Sequence, residues 1–261
     1  MEIFGFFGAL LIGLILGLIG GGGSILTVPI FVYVLGVSPV LATSYSLFVV
    51  GFTAMVGAVR NYQSNMVDIK TGIIFAIPAF IGVFFARKFI LPEIPNQLIS
   101  VNSFLLTKDI AIMIFFALIM FVAAFFMIKD RTETNSNKEI KYNVPLLTID
   151  GLIIGILTGL VGAGGGFLII PALVFFAKLP MKKAVATSLM IIAIKSLIGF
   201  TGDLGQLQID WLFLLPFTTI SVIGIFIGMY FNQFVKEKQL KKGFGFFIII
   251  MSITIIIKEL I

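Results

Sequence analysis

The chain has 261 residues, 59% hydrophobic and 11% charged, with a mean hydropathy of +1.18, whereas ordinary soluble domains are roughly 25% charged. Eighteen Lys plus Arg against twelve Asp plus Glu give a net charge of +6, which in so apolar a chain reads as basic loops beside a bilayer and excludes a nucleic-acid surface. The absence of Cys and His removes disulfides, thiolate nucleophiles, imidazole bases and most zinc, copper and haem sites, so no metal and no cofactor is expected.

Met1-Glu2 is followed directly by Ile3-Phe4-Gly5-Phe6-Phe7, without the basic start of a secretory signal, so the first apolar segment is expected to stay in the membrane. Residues 3–59 carry no charge and are long enough for at least two crossings. Further apolar runs cover residues 71–86, 110–128, 151–177, 184–202 with Lys195 inside, 211–235 and 243–257. Counting two segments in the first run gives about eight. Residues 129–141 are polar and lack helical periodicity, as a solvated linker would. The reading is an all-α polytopic protein of the cell (cytoplasmic) membrane, with the lipid bilayer as its surroundings. An N-terminal repeat would cover residues 1–128, a linker 129–145 and a C-terminal repeat 146–261, with four hydrophobic segments in each repeat.

The halves align. Gly13, Gly17, Gly20, Gly22, Gly23 and Pro29 fall on Gly155, Gly159, Gly162, Gly164, Gly165 and Pro171. Ala42-Thr43-Ser44 matches Ala186-Thr187-Ser188 after a two-residue insertion, and Gly57, Asp68 and Gly82 fall opposite Gly199, Asp210 and Gly224. Such duplication with paired Gly/Pro interruptions is a pattern of secondary transporters, in which the interruptions point to the binding site.

Isolated Gly13, Gly17, Gly155 and Gly159 read as helix-packing positions. The tracts Gly20-Gly21-Gly22-Gly23 and Gly162-Ala163-Gly164-Gly165-Gly166 read as helix breaks, since each glycine costs about 1 kcal/mol of helix propensity relative to Ala. Backbone freed in a membrane must be buried in protein or line a wet cavity. Short helices starting near Ser24 to Thr27 and at Gly166 would aim N-terminal amides inward, where anions bind. Pro29 and Pro171, about five residues further on, predict a kink or a short helix. A nucleotide loop is disfavoured, because the first tract has no following Lys and no preceding strand.

Thr43-Ser44 and Thr187-Ser188 offer hydroxyls to an oxyanion, or back-bond to their own helical turn. Lys195 lies within an apolar run, where a charge costs at least about 2.5 kcal/mol and marks a pathway or a partner. Asp203 is its nearest counter-charge in sequence, and snorkelling to an interface is the alternative. Asp68 and Asp210 suit helix N-termini.

Two topologies compete. Eight crossings make the repeats parallel and split Lys plus Arg seven to ten, whereas six crossings with re-entrant glycine hairpins invert the repeats and split them thirteen to four. The second arrangement obeys the positive-inside rule better and places the linker inside and both termini outside.

At residues 17–29 and 159–171, with Ala42-Thr43-Ser44 and Ala186-Thr187-Ser188, the chain resembles the TauE/SafE family, also described as the sulfite exporter or toluene-sulfonate uptake permease family. The resemblance spans essentially the whole chain. It implies a transporter, often of eight segments, for sulfur-containing or carboxylated organic anions. Many members carry basic or His-containing loops between the second and third spans of each half; this chain has Arg60 there and, in its second half, Asp203. These two are the candidates for coupling or gating.

The expected function is secondary transport of a small anion such as sulfite or a sulfonate. Its candidate binding residues are Gly20, Gly21, Gly22, Gly23, Ser24, Thr27, Thr43, Ser44, Gly162, Gly164, Gly165, Gly166, Thr187, Ser188 and Lys195. No ATP motif is visible, so an ion or substrate gradient would drive it, with protons or cations as candidate coupling partners. A passive anion channel and an intramembrane scaffold are the alternatives, and the sequence leaves the oligomeric state open. No enzyme is expected, because no nucleophile and base are paired.

Overall fold

The uncharged runs fold into helices, and their glycines set how closely those helices pack. The computed structural model describes residues 2–101, 104–128, 144–162, 165–235 and 237–260. In the first half, α1 (Glu2–Ile19) leads into a 3₁₀ segment (Gly20–Leu26), the single turn α2 (Thr27–Pro29) and a π-helical turn (Ile30–Val34). Then come α3 (Pro39–Gln63) and α4 (Ile69–Phe85), the latter continuing through a π-helical turn (Ala86–Ile90) into α5 (Leu91–Glu93). A short antiparallel hairpin of β1 (Gln97–Val101) and β2 (Phe104–Thr107) precedes α6 (Lys108–Ile128). The second half contains α7 (Val144–Val161), α8 (Gly166–Phe175), α9 (Met181–Thr201), α10 (Trp211–Asn232) and α11 (Glu237–Leu260). Most of the expected linker, residues 129–143, lies outside the described residues.

The fold is helical, as expected, but residues 3–59 hold three helical passes rather than two, and residues 151–177 hold both α7 and α8. The reversals begin at Gly20 (φ +69°) and Gly162 (φ +70°), a left-handed backbone conformation that glycine adopts without a Cβ penalty. After Gly20 the chain runs back along α1. A Cβ built on Gly5 would meet the Leu35 side chain, one on Gly8 the Ile30 side chain, and one on Gly23 the backbone of Leu16. Pro29 ends α2 just before the π-helical turn, and Pro171 sits inside the ten-residue α8, in keeping with a short or kinked second arm.

The halves are inverted. Although α3 and α9 correspond in the repeat, they pack antiparallel, with Gly51 against Leu197, Gly57 against Leu189 and Leu47 beside Gly199. α1 runs parallel to α10: Gly13 meets Ser221, Gly17 meets Gly228, and the Asn232 side-chain amide donates to the Leu18 carbonyl. The equivalent pair, α7 and α4, places Gly151 on Phe75, Gly155 on Ala79 and Gly159 on Val83. A Cβ on Gly155 would lie 2.3 Å from the Ala79 carbonyl oxygen. These isolated glycines are therefore packing positions, as small residues are in lipid-embedded bundles.

The face that carries the α1 start also carries the α11 end, where the Tyr33 hydroxyl donates to Glu259 at 2.7 Å. α6 ends and α7 begins on the opposite face, the linker face. Among the described residues the basic ones divide as in the inverted six-crossing reading, with Arg87, Lys88, Lys108 and Lys258 toward the termini and Arg60, Lys70, Lys178, Lys182, Lys183, Lys238, Lys241 and Lys242 toward the linker face. The parallel arrangement therefore gives way to two inverted halves, each a glycine hairpin of two arms followed by three further helices.

Among the described residues, five helices are long and apolar enough to cross a membrane: Pro39–Gln63, Ile69–Glu93, Val144–Val161, Met181–Thr201 and Trp211–Asn232. Ile73, Ile77, Ile81 and Phe85 form an exposed i, i+4 stripe along α4, which suits a lipid-facing surface.

Candidate functional site

Each glycine tract seats on the Ala-Thr-Ser helix of the other half. A Cβ on Gly20 would lie 2.8 Å from the Val185 side chain and 3.1 Å from Ser188 Oγ. One on Gly162 would lie 2.1 Å from the Cβ of Thr43. The tracts also touch each other, since a Cβ on Gly21 would stand 2.3 Å from the Cα of Gly166. Only glycine permits such backbone-to-backbone approach.

The two tracts differ in form. The first, including Gly22 and Gly23, winds into a 3₁₀ helix instead of opening a clean helix N-terminus. Its Gly21 N–H donates to Ser188 Oγ at 3.2 Å, and Ser24 Oγ donates to the Gly21 carbonyl at 2.7 Å. The second tract does launch a helix: Gly165, left-handed at φ +62°, caps α8 from Gly166 onward. Gly164 lies outside the described residues.

Two buried cations bracket the second tract. On one side, Gly162 lies on Thr43, whose Oγ1 accepts from Arg87 Nη1 at 3.0 Å. On the other, Lys195 Nζ would stand 3.0 Å from a Cβ on Gly165 and donates to Thr158 Oγ1 at 2.8 Å. Arg87 and Lys195 are both fully buried. Lys195 does not snorkel, since its amine stays inside the bundle. Nor is Asp203 its counter-charge: Asp203 Oδ2 lies 3.3 Å from Arg87 Nη2. Among the described residues no carboxylate pairs with Lys195.

Arg87 follows directly on the apolar run of residues 71–86 and is absent from the candidate residues above. The π-helical turn at Ala86–Ile90 carries it into the interior past the end of the apolar run. Its Nε has no hydrogen-bond partner among the described residues, while its Nη2 is held by the Asp203 carboxylate. The buried hydroxyls of Thr27 and Ser196 likewise have no partner among the described residues. Buried polar groups are nearly always hydrogen-bonded, so unspent donors next to a glycine tract mark a place for acceptors.

Thr43 and Ser188 back-bond to Val40 and Val185 at 2.7 Å each, yet their oxygens also accept from Arg87 and Gly21. Thr187 Oγ1 accepts from the Asp68 N–H at 2.9 Å. Correspondingly, Tyr45, which has no aromatic repeat partner, accepts from the Asp210 N–H at 2.9 Å. Asp68 and Asp210 cap α4 and α10 through Thr71 N and Phe213 N. Arg60 is exposed in the last turn of α3, on the linker face, while Asp203 follows α9 on the face of the termini. The structure therefore does not bring these two together.

A cavity of about 490 Å³ opens on the termini face, lined by Ser38, Val40, Asn96, Gln97, Thr107, Lys108 and Asp109. Its lining includes Val40, whose carbonyl takes the hydroxyl of Thr43 one helical turn on, the same hydroxyl that accepts from Arg87.

Inverted halves whose interrupted helices meet around buried cations define a multi-pass membrane transporter. The chain belongs to the sulfite exporter TauE/SafE family, which it matches over residues 5–255. It is 29% identical over 253 residues to a probable membrane transporter protein of Xylella fastidiosa (strain 9a5c), covering 94% of this chain and 91% of that one. It is 26% identical over 233 residues to the probable membrane transporter protein YdhB of Bacillus subtilis (strain 168), covering 89% and 91%. A 116-residue stretch, 42% of this chain, is 38% identical to 43% of the probable membrane transporter protein MJ0441 of Methanocaldococcus jannaschii. No solved structure matches the chain.

Proposed function

We propose that the protein is a secondary transporter of small anions, sulfur oxyanions such as sulfite and sulfonates foremost, that binds its substrate against the second glycine tract between Arg87 and Lys195. The observation that carries this reading is the fully buried Arg87, whose Nε has no partner among the described residues and whose Nη2 is held by Asp203, beside Thr43. A guanidinium presents a planar fork matched to an oxyanion, and the N-terminus of α8 adds partial positive charge. Lys195 supplies a second cation without a carboxylate of its own. The family description favours sulfur oxyanions over other anions.

Among the described residues, eight basic residues on the linker face against four on the other favour a cell membrane orientation with the linker in the cytoplasm. Substrate would enter through the cavity beside Val40 and leave after one inverted half rocks against the other. The test is reconstitution of the full chain in liposomes and measurement of labelled sulfite, sulfoacetate and succinate movement. Saturable exchange of one anion, lost in Arg87→Met and in Lys195→Met, is the expected result. Flux that never saturates or exchanges would instead mark a channel, and no flux of any anion would overturn the reading.

A further inference from the structure

The anion site proposed above shares its arginine with a carboxylate from the other half. Arg87 belongs to the first half and Asp203 to the second, and their side chains meet at 3.3 Å with both residues almost wholly buried. An anion that takes the guanidinium must displace Asp203 or find it neutral. Two negative groups competing for one buried cation cannot both be satisfied as ions.

We propose that Asp203 is the proton-binding residue of anion–proton symport: ionised, it holds Arg87, and protonated, it releases Arg87 to the anion. This rests on the anion reading of the Arg87 site. One proton from solution bonds to the Asp203 carboxylate as the Arg87–Asp203 ion pair breaks, and one Arg87–anion pair forms. On release the anion leaves, the proton returns to solution on the other side, and the ion pair closes again. Proton and anion binding then strengthen each other by the same factor, so the anion follows the proton gradient toward the alkaline side.

The surroundings of Asp203 support the assignment. It lies just past the end of α9, next to exposed Leu204 and the left-handed Gly205, so solution protons reach its loop from the termini face. From the α4–α5 turn it faces Arg87, while Lys88 beside it points outward over the Phe84 and Phe89 rings. From α3 it faces neutral Thr43 and Ser44. Lys108, beside Asp109 at the start of α6, acts on Arg87 rather than on Asp203 itself, and Asp210 at the start of α10 is exposed. Burial raises the Asp203 carboxyl above its ordinary range against the pull of Arg87, which brings protonation closer to working pH.

The experiment uses the full chain in liposomes with sulfite, sulfoacetate and succinate, comparing wild type with Asp203→Asn. Exchange is read at equal pH, and accumulation under an inward proton gradient. Any ionisation of the probe itself is common to both proteins. The wild type should exchange and accumulate the same anion. Asp203→Asn should still exchange but accumulate at least about tenfold less, since about 1.4 kcal/mol of lost coupling is tenfold. Equal accumulation by Asp203→Asn, or a wild type that exchanges without responding to the gradient, overturns the symport assignment while leaving the anion site standing. Should Asp203→Asn do neither, Asp203→Glu decides: restored accumulation supports the carboxylate's role, and none overturns it. A wild type that exchanges no anion removes the anion reading itself, and the symport assignment with it.

Discussion

Arg87 and Asp203 join the two halves through an ion pair, Nη2 to Oδ2 at 3.3 Å, that neither half can form alone. Removing one partner strands the other charge away from water. Arg87→Met should therefore destabilise the protein by about 3–5 kcal/mol, read as a lowered thermal midpoint in detergent. Adding Asp203→Leu to it should recover most of that loss without restoring anion transport. A single variant as stable as the wild type would show the pair to be structurally idle.

Lys195 tests whether the second cation serves structure or substrate. Lys195→Met preserves the length and removes the buried charge, so thermal stability should hold or rise while anion exchange drops at least tenfold, or about 1.4 kcal/mol. Thr158→Val removes the acceptor of the Lys195 amine and should cost about 1–3 kcal/mol of stability. Exchange unchanged in Lys195→Met would remove the residue from the pathway.

Gly162→Ala introduces a Cβ 2.1 Å from that of Thr43 at a residue with φ +70°, so the folded, monodisperse fraction after purification should fall sharply. Gly243→Ala, in α11 with nothing within 4 Å, should be neutral or stabilising by up to about 1 kcal/mol. Equal yields of the two variants would contradict the contact between the second tract and α3.

The chain contains no Cys, so single cysteines introduced as Glu2→Cys and Asn135→Cys report sidedness directly. In intact cells an impermeant maleimide should label the first and spare the second. Labelling of both from one side would overturn the inverted arrangement.

Much was legible in the sequence because it is local or periodic. Apolar runs free of charge can only be buried or lipid-facing, the repeat shows as register, and Asp68 and Asp210 announce helix starts that the structure realises as caps. Glycine tracts signal interruption because propensity is a property of the residues themselves. The number of passes was harder to see, since an apolar return arm such as residues 20–34 has no polar turn to separate it from α1.

Residue order alone specifies a duplicated, helical membrane chain with two glycine breaks. Packing in three dimensions adds that each break rests on the Thr-Ser helix of the opposite half, that Lys195 turns to Thr158, and that Arg87 lies inside the bundle beside Asp203. The reason is physical. A charge at the end of an apolar run reads alike whether its side chain reaches water or turns inward. That choice is made by a partner 116 residues away in the chain, brought within 3.3 Å by the packing of two inverted halves.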